Sequence, residues 1–114
     1  MKRGDILNNN LLYLFDTSGN WIAFKIGKFL FNEDGKWIGW FPWDEKIAIT
    51  PNGKYLGEIY NKDRLLKSNY KKILPYPGYP GYPGYPGYPG YPGFAGYLSI
   101  PGTIDVEKEL LKGE

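Results

Sequence analysis

The chain of 114 residues contains no cysteine and no histidine. Their absence excludes disulfides, Cys/His zinc sites, thiol nucleophiles and every Ser-His or Cys-His catalytic arrangement. It also removes the side chain most often used as a general base near neutral pH. We therefore expect no cofactor and no metal site, and we expect that the protein is not an enzyme.

A charge excess of one sign and long apolar segments are also missing. The 14 Lys and Arg residues nearly balance the 12 Asp and Glu residues, so there is no strong signal for nucleic-acid binding. No apolar run approaches the roughly 20 residues that span a bilayer. Residues 1–10 do not resemble a secretory signal. By default we expect a cytoplasmic protein without a membrane span, and the composition leaves its oligomeric state open.

The first half of the chain repeats itself. Residues 16–23, 32–39 and 50–57 each place a polar residue before a glycine, an aromatic residue, an aliphatic residue and then Ala or Gly. The shared glycines are Gly19, Gly35 and Gly53. Two β-rich runs around a Gly-containing turn are typical of a β-hairpin, because Gly adopts the positive φ that tight turns require. The sequence therefore predicts three hairpins in tandem.

Strict alternation along the second strand of each hairpin predicts which side chains share a face. In the first hairpin, Trp21, Ala23 and Lys25 fall on one face, and Ile22 and Phe24 fall on the other. The small residue two places after each aromatic residue has two interpretations. It either allows a neighbouring group to come close or belongs to a β-bulge that curves the sheet.

A fourth hairpin is predicted to begin at residues 64–67, and its second strand is either residues 71–74 or residues 96–100. With this unit, the repeats over residues 11–102 resemble the four-fold beta-flower family of small bacterial proteins. The resemblance implies a pseudo-four-fold arrangement of hairpins and no particular activity. Because one hairpin is marginal alone, we expect an all-β fold of tandem hairpins in a radial or barrel-like array.

Six consecutive Tyr-Pro-Gly triplets occupy residues 76–93, within a stretch, residues 75–102, that carries no charge. A period of three matches polyproline II, in which the six triplets would span about 56 Å. Three interpretations of this polyproline-II-like segment are open. It is an exposed tyrosine-rich arm, or it lies along the hairpins with its Gly edge against Trp and Phe, or it is a docking strand for a partner.

The end of the chain predicts a short helix. Thr103 or Asp105 would cap it, acidic residues come early, Lys112 comes late and Gly113 follows. The predicted organisation is thus a hairpin domain over residues 1–74, a partly packed or flexible triplet segment over residues 75–102, and a short C-terminal helix over residues 103–114.

Two pairs of adjacent carboxylates are the only candidates for acid–base chemistry. Glu33 with Asp34 and Asp44 with Glu45 fall in predicted turns beside lysines, where solvated turn charges are the simpler interpretation. A local excess of basic residues is assigned to a solvated edge strand. Its members are Lys62, Arg64, Lys67, Lys71 and Lys72.

Aromatic residues are the best candidates for a binding surface. Trp21 and Trp37 occupy equivalent repeat positions, which favours a role in the core. The candidate binding residues are Trp40, Trp43, Tyr79, Tyr82, Tyr85 and Tyr88. The sequence favours a non-enzymatic β-repeat scaffold or protein-interaction module with an unknown protein partner. The alternative is a small module that binds a carbohydrate or another planar ligand through exposed Trp and Tyr rings.

Overall fold

The computed structural model describes residues 11–70 and 73–113. The strands of this part of the chain form a single sheet closed into a barrel. The strands are β1 (Leu11–Phe15), β2 (Trp21–Ile26), β3 (Phe29–Asn32), β4 (Trp37–Trp40), β5 (Ile47–Ile49), β6 (Tyr55–Tyr60), β7 (Arg64–Ser68) and β8 (Thr103–Asp105). A 3₁₀ turn at Leu110–Lys112 is the one helical element of the described chain. The prediction of an all-β, barrel-like fold is confirmed.

The barrel closes between β1 and β7. Strands β1 to β7 pair in chain order, each antiparallel to the next, so an odd number of strands makes the closing pair parallel. Phe15 pairs with Arg64, and the Phe15 N–H donates a 2.9 Å hydrogen bond to the Asp63 carbonyl. Strand β8 adds antiparallel to β7, with Lys67 opposite Ile104. Strand β7 therefore has neighbours on both sides.

The turns after β1, β3 and β5 share one pattern of hydrogen bonds. In the first, the Gly19 N–H donates to the Asp16 carbonyl, and Asp16 Oδ1 accepts from the Asn20 N–H at 2.9 Å. Gly19 has φ 94°, a conformation that other residues rarely adopt. Asn32, Gly35 and Lys36 make the same bonds after β3, and Thr50, Gly53 and Lys54 make them after β5. The polar residue and the glycine thus set each reversal of the chain.

Each of these hairpins carries a β-bulge beside its aromatic residue. The pairing runs from Leu14 opposite Ala23 to Phe15 opposite Trp21, which leaves Ile22 as an extra residue. Ile22 and Ala23 therefore both pack into the barrel, while Trp21 packs outside it. The prediction from strict alternation, that Trp21 and Ala23 share a face, is wrong for this reason.

The residue after the bulge is small because the next strand comes close to it. A Cβ added to Gly39 would overlap the Ile49 carbonyl oxygen. A Cβ added to Gly57 would lie 3.0 Å from the Leu66 carbonyl oxygen and 3.1 Å from Val106. The two interpretations of the small residue, a bulge and a close approach, apply together at the same place.

Apolar side chains form two layers. The interior of the barrel holds side chains from most of the strands, among them Leu14, Ala23, Leu30, Ile38, Ala48, Leu56 and Leu65. A second cluster lies on the outside of β1 to β4 and contains Phe15, Trp21, Phe24 and Phe31. Ala95 of the triplet segment packs against this outer cluster. The outside of the barrel is therefore covered in part by the chain that follows β7.

The triplet segment does not have the predicted polyproline II conformation. The glycines of its six triplets have φ between 86° and 97°, whereas polyproline II requires φ near −75°. A straight run of about 56 Å would also exceed the longest dimension of the protein, 43 Å. The segment instead follows the barrel surface, because its tyrosines find aromatic partners there.

The predicted C-terminal helix is also wrong. Thr103–Asp105 is strand β8, and only Leu110–Lys112 turns as a 3₁₀ helix. Strand β7 leaves backbone groups free from Leu66 to Ser68, and β8 satisfies them. Two segments were expected to pair with β7. Residues 96–100 form no strand, nor do residues 73–74 of the other segment, whose residues 71–72 lie outside the described residues.

Candidate functional site

Six tyrosines of the triplets form a row along the outside of the barrel, which we call the tyrosine ridge. Its members are Tyr76, Tyr79, Tyr82, Tyr85, Tyr88 and Tyr91. Trp37 holds Tyr79 and Tyr82 at ring-centroid distances of 5.7 and 5.8 Å. Trp21 holds Tyr88 and Tyr91 at 5.9 and 6.0 Å. Trp21 and Trp37, which occupy equivalent positions in the first two hairpins, thus each contact two successive tyrosines of the triplet segment.

The other two tyrosines of the ridge lie over turn glycines. A Cβ added to Gly53 would lie 2.7 Å from Cδ1 of Tyr76, and one added to Gly35 would overlap the ring of Tyr85. Tyr85 follows Tyr76 by nine residues, as Tyr88 follows Tyr79. Three triplets therefore correspond to one hairpin, and the segment runs from the third hairpin back to the first.

Hydrogen bonds fix the segment to the barrel at its far end. Arg64 Nη1 donates to the carbonyl oxygens of Gly96 at 2.7 Å and Asp16 at 3.1 Å. The Ala95 N–H donates to the Gly19 carbonyl at 2.9 Å. Tyr13 Oη donates to the Pro89 carbonyl at 2.9 Å. Burial raises the pKa of Tyr13, which keeps this hydroxyl protonated and able to donate.

The ridge is held in place and yet exposed. Its six side chains are 60–68% exposed, although each has one contact with a residue of the barrel. A Cβ added to any triplet glycine from Gly78 to Gly93 would meet nothing within 4 Å. Of the three interpretations of the segment, the one that places its Gly edge against Trp and Phe is therefore wrong about the contact: the tyrosine rings make it, and the glycines supply the backbone conformation.

The two candidate tryptophans lie apart from the ridge. Among the described residues, no ring contact joins Trp40 or Trp43 to a triplet tyrosine. Trp40 is half-buried in β4, opposite Phe29 and Ile49, and its buried Nε1–H has no partner in the described part of the chain. Trp43 is 39% exposed. The predicted binding residues are therefore distributed over at least two places.

Trp43 lines a cavity that the described residues form at one end of the barrel, which we call the barrel mouth. In a meander, alternate connections lie at opposite ends, so the mouth is at the end opposite the three glycine turns. Its volume is about 700 Å³. It is lined by Leu11, Leu12, Lys25, Gly27, Lys28, Phe41, Pro42, Trp43, Asp44 and Glu45.

Lys25 is the buried charge of the barrel mouth. It pairs with Leu12 and Leu30, so its side chain shares the inner face of the barrel with Leu30. Its side chain is only 10% exposed. Nζ lies 3.7 Å from the Glu45 carboxylate and 5.3 Å from the ring centroid of Phe41.

The carboxylates of the two predicted acidic pairs lie on exposed residues between strands. Asp44 Oδ1 accepts the backbone N–H groups of Lys46 at 2.8 Å and Ile47 at 3.2 Å, which holds its pKa below the ordinary value. Glu33 and Asp34 are exposed in the turn after β3. Among the residues that the structure describes, no three Asp or Glu side chains converge as a metal site would require.

Sequence reasoning missed Lys25 and Arg64. Arg64 was assigned to a solvated edge strand, but its side chain is buried and bonds to four residues. The signal for Lys25 was weak, because an isolated lysine in an amphipathic strand normally faces solvent. Only the bulge at Ile22 and the closure of the barrel place it inside.

No family model, curated protein or solved structure matches the chain. Within the described residues, no helix has the length and apolar character needed to cross a bilayer.

Proposed function

We propose that the protein is a non-enzymatic protein-interaction module whose docking surface is the tyrosine ridge. One observation carries this proposal: six tyrosines are more than half exposed while each is held against a residue of the barrel. A contiguous exposed aromatic patch is typical of an interaction surface. The array of β7 and β8 with the three hairpins serves as a pseudo-four-fold scaffold of the beta-flower type for this ridge.

The physical advantage of the ridge is preorganisation. Tyrosine offers a large contact area with few rotatable bonds, so little side-chain entropy is lost on binding. The contacts of Trp21 and Trp37 reduce this entropy loss further, because the rings are already positioned. Residues 75–102 carry no charge. The matching surface of the partner is therefore uncharged at its centre, and it carries groups that accept hydrogen bonds from the tyrosine hydroxyls.

A cavity beside the ridge supplies a place for an anchoring side chain. It has a volume of about 370 Å³ and is lined by Lys36, Trp37, Pro51, Tyr79 and Tyr82. Interfaces concentrate their binding energy where one side chain fills such a pocket. The partner therefore places an apolar or aromatic residue between Tyr79, Tyr82 and the turn after β5.

The experiment is affinity capture from an extract of bacterial cells with variants that block the ridge. Deletion of the triplets would uncover Trp21 and Trp37, so substitution is preferable. The double variant Tyr82→Lys with Tyr85→Lys adds two charges to the ridge at residues that are 64% and 65% exposed. We expect that a partner captured by the unmodified chain is lost from this variant.

The matched control adds the same two charges at residues that are not part of the ridge. Tyr70 and Ile73 are 78% and 91% exposed, and the variant Tyr70→Lys with Ile73→Lys should capture the same partner as the unmodified chain. Retention of the partner by the ridge variant would refute the docking role of the ridge. Loss from both variants would show that binding responds to net charge only.

The second candidate function is binding of a carbohydrate or another planar ligand, and the position of Trp43 favours it. Trp43 is exposed on the wall of the 700 Å³ barrel mouth, within the size range of small-molecule sites. An indole wall can stack on a sugar face or an aromatic ring. Titration of a panel of neutral sugars and planar compounds, followed by calorimetry, tests this function.

A further inference from the structure

Lys25 is a buried cation with an incomplete set of partners. Among the described residues, its Nζ has no hydrogen-bond acceptor within reach, since the Glu45 carboxylate at 3.7 Å is too distant for one. The Glu45 side chain is 90% exposed, so water competes for it. Burial of an ammonium group is unfavourable unless the charge is paired and hydrogen-bonded. The position therefore suits an anion that enters the barrel mouth and bonds Nζ directly.

The neighbouring groups determine what kind of anion fits. Asp44, Glu45 and Lys28 also line the mouth, so the charges around Lys25 leave one net negative charge, which disfavours a ligand with several negative charges. The Asp44 carboxylate is already occupied by two backbone N–H groups. A single negative charge that points inward to Lys25 suits both the buried cation and the net charge around it.

The walls of the mouth determine the rest of the ligand. Phe41 lies beneath the Lys25 ammonium group, with 5.3 Å between Nζ and the ring centroid. The consecutive residues Phe41, Pro42 and Trp43 line the mouth, with Leu11 and Leu12 among the other lining residues. Apolar and aromatic walls with one placed charge are characteristic of sites for small organic ligands.

We infer that the barrel mouth binds a planar aromatic monocarboxylate, with the carboxylate on Lys25 Nζ and the ring against Trp43. This inference rests on the second candidate function and names its ligand class. When the ligand binds, the ion pair between Lys25 and Glu45 breaks and the Glu45 carboxylate turns to solvent. This change is small, because the Glu45 side chain is already 90% exposed.

The test compares indole-3-carboxylate with its neutral amide by isothermal titration calorimetry on the full chain. A charged hydrogen bond to Lys25 should make the carboxylate bind about tenfold or more tightly than the amide. Lys25→Met keeps the aliphatic part of the side chain, and it should weaken carboxylate binding by a similar factor and amide binding little. Glu45→Gln should strengthen carboxylate binding, because it removes the competing anion.

The control is Lys54→Met, which removes the same charge from an exposed residue of the turn after β5, at the other end of the barrel. It should leave carboxylate affinity unchanged.

Equal affinity for acid and amide, or an unchanged affinity in Lys25→Met, would overturn the inference. So would the absence of carboxylate binding at millimolar concentration. Binding of a neutral sugar that is insensitive to Lys25→Met would overturn the inference while leaving the second candidate function in place. No binding by any planar compound or sugar would refute both.

Glu45→Gln keeps the test decisive even if Lys25→Met is poorly folded. Glu45 lies at the surface, so its substitution does not disturb the core. A carboxylate affinity that falls in Glu45→Gln, or stays the same, would contradict the proposed competition for Lys25.

Discussion

The guanidinium group of Arg64 donates a 2.7 Å hydrogen bond to the carbonyl oxygen of Gly96, 32 residues further along the chain. The same group donates to Asp16 and Ala95 and contacts the Asp63 carboxylate. Because Arg64 is itself at the closure of the barrel, opposite Phe15, it joins the closing strand pair to the end of the tyrosine ridge. One side chain therefore links the closure of the barrel to the attachment of the triplet segment.

Arg64→Met should destabilise the protein by about 3 kcal/mol, because three partly buried carbonyl groups lose a charged donor. Arg64→Lys should rescue little of this, since an ammonium group lacks the fork of five donors. Urea unfolding measures the loss. The comparison is Lys67→Met, whose ion pair with the exposed Glu107 should be worth less than about 1 kcal/mol. Equal losses at the two positions would contradict the linking role of Arg64.

Gly39→Ala should cost about 1–3 kcal/mol, the usual effect of inserting a methyl group where a core has no room. The new Cβ would meet the backbone carbonyl of Ile49, which cannot move without disturbing β5. Gly57→Ala should cost less, because its closest contacts are 3.0 and 3.1 Å. Chemical unfolding of both variants gives the order, and a reversed order would show that the strand spacing is not what selects glycine.

Removal of one Tyr-Pro-Gly triplet should destabilise the protein by about 1–2 kcal/mol, since one Trp–Tyr contact or one hydrogen bond to the barrel is then lost. The segment must reach from Gly53, beneath Tyr76, to Gly19, which accepts from Ala95. Insertion of a triplet should cost less, because an extra triplet can loop into solvent at a small entropic cost. Urea unfolding and the tryptophan emission maximum compare the two lengths. Equal tolerance of deletion and insertion would show that the segment is not in register with the hairpins.

Tyr55 should make stability fall at high pH. Burial is the main cause that raises its pKa above the ordinary value near 10, and its hydroxyl donates to Glu58 at 2.7 Å and accepts from the Ser68 N–H at 2.9 Å. A raised folded-state pKa means that this stabilisation is complete below pH 10 and is lost as the pH rises further. Tyr55→Phe should be less stable at pH 7 by about 1–3 kcal/mol.

The difference between the unmodified chain and Tyr55→Phe should then shrink above pH 10, the ordinary pKa of tyrosine. Tyr13, whose pKa is also raised, is present in both chains, so its contribution cancels in the comparison. Thermal unfolding between neutral and strongly alkaline pH measures the difference. A constant difference across this range would show that Tyr55 does not titrate differently in the folded and unfolded states.

The sequence was a good guide where short-range chemistry decides the structure. Gly19, with φ 94°, and Asp16, whose side chain bonds Asn20, act within five consecutive residues. It was a poor guide to faces, because one bulge at Ile22 reverses the alternation that places Trp21. The same distinction between local and long-range effects applies to the candidate site. Tyr79 and Tyr82 were among the candidate binding residues, but their position on Trp37 depends on a contact more than forty residues away in sequence.

By itself, the amino-acid sequence determined the all-β class and excluded cysteine and histidine chemistry, because composition and turn residues act locally or through their absence. Tertiary structure alone decided that β8 rather than a helix follows the triplets, since only the assembled barrel leaves a free stretch of β7 to be paired. It also placed Lys25 inside the barrel and Arg64 under the triplet segment. Burial of these two charges follows from barrel closure, which brings together residues that no local pattern connects.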